Sequence, residues 1–170
     1  TLSLHDALPI LLYAQTYANR KNVLLQYELK VKTPYIIGDP IRLRQIITIL
    51  LKQAVSSARE NGTVQLNIFM HTDPQYIWIQ ILDNGTQSIS TILEPERHGI
   101  DPNNAESMEL EIASRLIELH GGTLRVLHER QRGNTVIVML PRHGILNDNN
   151  LPNLAPEEDQ VSPEEAAGRG

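Results

Sequence analysis

"GDPIRLRQIITILLKQAVSSA", Gly38 to Ala58, is the most decisive run in the chain. Asp39 followed by Pro40 is a strong helix start, because the carboxylate caps free N–H groups and proline suits the first turn. Behind it Ile46, Ile47, Leu50, Leu51, Ala54, Val55 and Ala58 recur at helical spacing, so a long amphipathic helix is predicted. Asn61-Gly62 supplies a left-handed stop.

Upstream, "VLLQYELK" (Val23–Lys30) reads as a strand with Leu25, Tyr27 and Leu29 on one face. Downstream, "TVQLNIFM" places Val64, Leu66, Ile68 and Met70 on one face, and "YIWIQIL" does the same with Ile77, Ile79 and Ile81. Asp73-Pro74 turns between them. Residues 86–104 show no sustained period and contain Pro95, Gly99 and Pro102, so they read as a functional loop or lid. A second helix is expected from about Ser107 to His120, closed by Gly121-Gly122. Strands "TLRVLHE" and "NTVIVML" follow, joined by the polar turn Arg130–Gly133. The order β, α, β-β, lid, α, β-β predicts an α+β fold. It is a two-layer sandwich of a mixed, mostly antiparallel sheet with helices on one face.

Composition narrows the class. Hydrophobic residues make up 41% and aromatics only 4%, so the core must be aliphatic. The absence of cysteine excludes disulfides and thiolate metal sites and suits a reducing compartment. No apolar run approaches the roughly 20 residues of a membrane span, so a soluble, cytoplasmic segment without direct membrane contact is expected. Residues 1–142 hold 14 acids and 14 bases, and a neutral body gives no basic face for nucleic acid. The formal charge of -5 therefore falls entirely in residues 143–170, read as an acidic disordered tail or linker. Residues 1–10 include His5-Asp6-Ala7-Leu8-Pro9-Ile10, which looks like a translated sequencing-adapter tract. They are set aside as non-native, leaving residues 11–142 as the domain.

Four segments together carry a resemblance: the quoted helix, "ILDNG" (Ile81–Gly85), "LEIASRLIELHGGTLRV" (Leu110–Val126) and "GNTVIVMLP" (Gly133–Pro141). Over roughly residues 16–142 the chain resembles the ATP-binding catalytic domain of sensor histidine kinases, in the superfamily shared with gyrase, Hsp90 and MutL ATPases. That likeness implies the histidine kinase/Hsp90-like ATPase fold, ATP and Mg²⁺ as ligands, and a phospho-acceptor histidine on a partner helix as target. It also implies roles for single residues. Asp83 stands where the family's aspartate meets the adenine amino group, and Gly85 where a glycine lets the base approach. The bland alternative for Asp83-Asn84-Gly85 is a strand-ending turn. Thr135 fits the place of a Ser or Thr near the adenine, or is simply a strand residue. Gln53 aligns with the asparagine that holds Mg²⁺, on a stem one methylene longer; it also reads as an ordinary polar helix residue.

The likeness also has gaps. Ser56 aligns with a frequent lysine, Ile49 with an earlier asparagine, and Gln87 with the glycine that completes the adenine motif. Ala105, Ser107 and Glu109 stand where three glycines let a triphosphate meet a helix N-terminus. Glu106, Glu109 and Glu111 suit the helix dipole but oppose a bound anion. A unit charge pair at about 4 Å is worth about 1 kcal/mol in water and about 4 at an effective dielectric of 20. Losing about 4 kcal/mol moves a micromolar site to millimolar.

The expectation is therefore a fragment of a two-component sensor kinase whose catalytic domain is degenerate, with weak or no ATP and Mg²⁺ use. It would act by docking to dimerisation and phospho-acceptor helices or to a response-regulator receiver domain. A working histidine kinase domain is the alternative, and a non-catalytic, anti-sigma-like interaction module is the second.

Overall fold

The computed structural model describes residues 2–3, 8–31, 35–70, 72–90 and 104–143. The elements run β1 (Leu2–Ser3), α1 (Leu8–Arg20), β2 (Leu24–Lys30), β3 (Tyr35–Ile36), α2 (Pro40–Ser57), β4 (Thr63–Phe69), β5 (Tyr76–Asp83), α3 (Ala105–Leu119), β6 (Thr123–Glu129) and β7 (Gly133–Pro141). Five strands form one sheet in the order β2-β4-β5-β7-β6. The β2–β4 pair is parallel and the others antiparallel, so the sheet is mixed as expected. A separate antiparallel pair joins β1 to β3.

Strand alternation sets the inner face. Val64, Leu66 and Ile68 on β4, Ile77, Ile79 and Ile81 on β5, and Val136, Val138 and Leu140 on β7 are all buried. The helices lie over this face: α1 against β2, α2 against β4 and β5, and α3 against β6. The core is aliphatic, as the composition requires, and its centre is α2. Leu43, Ile46, Ile47, Leu50 and Leu51 are each 2% exposed or less. Truncating one of these to alanine costs about 2–5 kcal/mol.

Local chemistry explains the helix boundaries. Asp39 Oδ1 accepts from the N–H groups of Ile41 (2.9 Å) and Arg42 (3.3 Å), so the predicted cap is formed. The helix ends at Ser57, earlier than the glycine stop suggested, because Ala58 turns to an extended conformation (ψ 148°). Asn61 still adopts the left-handed conformation (φ 56°) three residues later. At the end of α3, Gly121 takes φ 71°, as a left-handed stop demands.

Two differences from the sequence reading matter. First, α1 begins at Leu8, and Ile10 is buried with Leu11, Ala14 and Ala18, so Leu8–Ile10 belong to the fold. The sequence reading gave no element before Val23, so the whole of α1 is an addition to it. Second, α3 starts at Ala105 with Asn104 as its cap, Asn104 Oδ1 accepting from Glu106 N at 2.9 Å. Most of the expected lid (residues 91–103) and the acidic tail beyond His143 lie outside the described residues. No described helix is long and apolar enough to cross a membrane.

Candidate functional site

One end of the sheet converges with the C-terminal half of α2 and the N-terminus of α3. Asp83, the last residue of β5, is 4% exposed. Its Oδ1 accepts from Gly85 N (2.7 Å), Asn134 Nδ2 (3.0 Å) and Ser57 Oγ (3.2 Å), while its Oδ2 is buried with no partner. A turn needs only the first of these bonds. The second oxygen is an acceptor with no donor, which is costly unless something supplies one. Gly85 is held close by: a Cβ there would lie 2.5 Å from the Ser57 carbonyl and 2.7 Å from Asp83 Oδ1. Two of the three residues singled out on the adenine side, Asp83 and Gly85, therefore sit at a single buried point.

Thr135 does not join them. It pairs across the ladder with Leu82 and Leu127, so it lies on the sheet face away from Asp83. The residue beside Asp83 is Asn134, 1% exposed. Asn134 Nδ2 reaches Ser57 Oγ, Asp83 Oδ1 and the Gln87 carbonyl, each at 3.0 Å. Asn134 Oδ1 accepts from Ile89 N and faces His128 Nδ1, both at 3.1 Å. Alternation along β7 already placed Asn134 with Val136 and Val138 on the inward face, and that is the signal that could have found it.

The other end of the site is acidic, and its Glu106 and Glu109 carboxylates already have donors. Glu109 receives Lys52 Nζ at 2.8 and 3.1 Å, and Glu106 Oε1 accepts from Ser56 Oγ at 3.1 Å. The Glu109 hydrogen bond holds the Lys52 ammonium above its ordinary pKa. Gln53 is buried, 7% exposed, beside both contacts. At the three places where the likeness calls for glycine, Ala105 is exposed, Ser107 is buried with an unpartnered Oγ, and Glu109 is in the ion pair. The role of Lys52 was missed because its partner is 57 residues away. Among the described residues no cluster of three or more His, Asp or Glu could hold a metal ion.

The ATPase family profile described as "Histidine kinase-, DNA gyrase B-, and HSP90-like ATPase" matches residues 38–144. The chain belongs to this family. Its relatives include the adaptive-response sensory kinase SasA of Prochlorococcus marinus strain MIT 9303, 25% identical over 130 residues, covering 71% of this chain and 34% of SasA. Sporulation kinase B of Bacillus subtilis is 27% identical over 128 residues, covering 74% of this chain and 29% of the kinase. Among solved structures, the catalytic domain of histidine kinase ThkA superposes with a TM-score of 0.68 at 16% identity, covering 85% of this chain and 97% of that one. Full-length ShkA in complex with AMPPNP gives 0.66 at 22% identity, covering 81% of this chain and 29% of ShkA. These structural likenesses establish the fold. The chain spans about a third or less of the length of the curated relatives it matches.

A histidine kinase-like ATPase domain handles ATP with Mg²⁺, and the two halves of the site meet that demand differently. The unsatisfied Asp83 Oδ2 beside Gly85 fits an amino donor of a base. At the other end the cations already have partners. Lys52 is engaged by Glu109, Lys21 Nζ caps the Val55 and Ser56 carbonyls, and Arg20 lies 5.9 Å over the Tyr17 ring.

Proposed function

We propose that this chain is the catalytic-domain portion of a cytoplasmic sensor histidine kinase that no longer transfers phosphoryl groups efficiently. It acts instead by docking to phospho-acceptor helices or a receiver domain. One observation carries the reading: Lys52 and Ser56, two donors on the opening between α2 and α3, are each engaged by a carboxylate, Glu109 and Glu106. Phosphoryl transfer relies on positioning and on charge neutralisation of the phosphates. A carboxylate among those donors removes attraction and adds repulsion. Because both side chains of the Lys52–Glu109 pair are 41% exposed, the penalty sits toward the solvent-screened end of the Coulomb range, about 1 kcal/mol per pair rather than about 4.

Docking is favoured by apolar side chains left in solvent on the two outer helices. Leu12 (73% exposed) and Tyr13 (50%) on α1, and Met108 (51%) and Ile112 (43%) one turn apart on α3, are available to a partner helix. The deciding experiment incubates the chain with γ-labelled ATP, Mg²⁺ and the phospho-acceptor helices of its own full-length protein. Co-sedimentation with those helices and no label above a no-enzyme control is expected. Label on the acceptor histidine at a rate ordinary for kinases would end this reading.

A further inference from the structure

The outer face of the sheet, away from the helices, is not uniformly polar. The strand register aligns Phe69, Trp78 and Met139 in one row across β4, β5 and β7, with Tyr76 and Pro141 paired beside them. The Phe69 and Trp78 rings lie 6.0 Å apart, and they are the chain's sole phenylalanine and sole tryptophan. All three side chains of the row are half-buried, and Tyr76 is exposed. Trp78 and Met139 form, with Thr72, Asp73 and Tyr76, an open cleft of about 200 Å³. Next to this row runs a strip of amides. Asn67 Nδ2 donates to Gln80 Oε1 and Gln65 Nε2 to Asn67 Oδ1, both at 3.1 Å.

The chain leaves the sheet at the rim of this cleft. Pro141 pairs with Tyr76, Arg142 N donates to the Gln75 carbonyl, and the Arg142 carbonyl accepts from Ile37 N, both bonds at 2.8 Å. The next stretch is "GILNDNNLPNL", residues 144–154. It holds four aliphatic side chains (Ile145, Leu146, Leu151 and Leu154), four asparagines and one charge, Asp148, whereas the acids gather from Glu157 onward. That composition matches the outer face twice over: aliphatic groups for the aromatic row, and amides, which both donate and accept, for the amide strip. Gly144 suits a reversal directly after the last strand. Reach is ample, because the eight residues from His143 to Leu151 extend up to about 26 Å, against about 10 Å from β7 across β5 to β4. A cavity of about 150 Å³ holds a benzene-sized group, so the cleft of about 200 Å³ admits a leucine or isoleucine side chain. We propose that residues 144–154 fold back over the outer face as an intramolecular strap, with Ile145 and Leu146 seated against Trp78 and Met139. A short tether gives such a segment an effective concentration in the millimolar range, so modest apolar burial suffices to hold it. Whatever the tail leads to is thereby held on the sheet face opposite the helices. The strap stands whether or not phosphoryl transfer is lost.

Trp78, as the sole tryptophan, reports on its own cover. Acrylamide quenching of its fluorescence is measured in the full chain, in Ile145→Ser/Leu146→Ser and in Val161→Ser, a control farther along the tail. The double variant removes the docked population, so its quenching constant should rise at least about twofold, with emission shifted to the red. The control should match the native chain. Protection in the native chain should persist over about hundredfold dilution, as a tethered segment demands. Protection lost on dilution would assign the face to a second copy of the chain and overturn the proposal. Equal quenching in the native chain and the double variant overturns it as well. Hydrogen exchange of the native chain keeps the test open should the variant fail to fold. Relative to their intrinsic rates, the amides of residues 145–154 should exchange at least about tenfold more slowly than those of residues 157–168. Equal protection of the two stretches would refute the strap.

Discussion

Replacing Asn134 by alanine tests the structure most directly, because it separates two neighbours that sequence alone confuses. Asn134 is 1% exposed and ties β7 to α2, to the end of β5 and to the segment after it. In the variant, Asp83 Oδ1 keeps Gly85 N and Ser57 Oγ but loses a charge-assisted bond, worth about 1.5–3 kcal/mol. The N–H of Ile89, a residue 1% exposed, loses its acceptor, at about 1–3 kcal/mol. The Gln87 carbonyl belongs to an exposed residue and gains water. Such contributions do not add fully, so a loss of about 3 kcal/mol is expected. In equilibrium urea unfolding with a slope of about 2 kcal/mol/M, the midpoint falls by about 1.5 M with the slope unchanged. Thr135→Val, one residue on and on the other face, should stay within about 0.5 kcal/mol of the native chain. Asn134→Ser, which keeps a donor for Asp83, should fall between the two. If Asn134→Ala costs less than about 1 kcal/mol, or no more than Thr135→Val, the buried junction described here is wrong.

Further outcomes follow from other contacts. Lys52→Met should lose about 0.2–1 kcal/mol, since the pair is 41% exposed on each side. Glu109 raises the folded pKa of Lys52 above the ordinary 10.5, so the pair's contribution is complete below that value and disappears as pH rises through the raised one. Urea unfolding of both proteins should therefore show the same difference at pH 7 and 9 and a smaller one at pH 11. Gly85→Ala forces a Cβ to 2.5 Å from the Ser57 carbonyl, and thermal unfolding should register about 1–3 kcal/mol of overpacking together with loss of the Ser57–Asp83 bond. Asp39→Ala removes the acceptor for Ile41 N and Arg42 N and should cost about 1 kcal/mol in urea, whereas Asp39→Asn should retain most of the cap.

The legible parts of this protein are those whose physics is local. The Asp39-Pro40 start of α2, its apolar stripe and the alternation of β4 and β5 follow from backbone periods of about 3.6 and 2 residues, which any short window of sequence displays. Together with the motif likeness they were enough to name the sandwich and to single out Asp83 and Gly85. All of α1 escaped, since no helix was read before Val23, although Ile10, Leu11, Ala14 and Ala18 form one buried stripe. What tertiary structure alone decided is which distant side chains meet. Asn134 lies 51 residues from Asp83, and Glu109 lies 57 residues from Lys52. A shift of one residue in the β5–β7 register would have put Thr135, not Asn134, against the carboxylate. Likewise, the acids at the start of α3 read from sequence as partners of their own helix dipole. Packing of α3 against α2 turned two of them into partners of Lys52 and Ser56, because a carboxylate brought near an ammonium and a hydroxyl bonds to them.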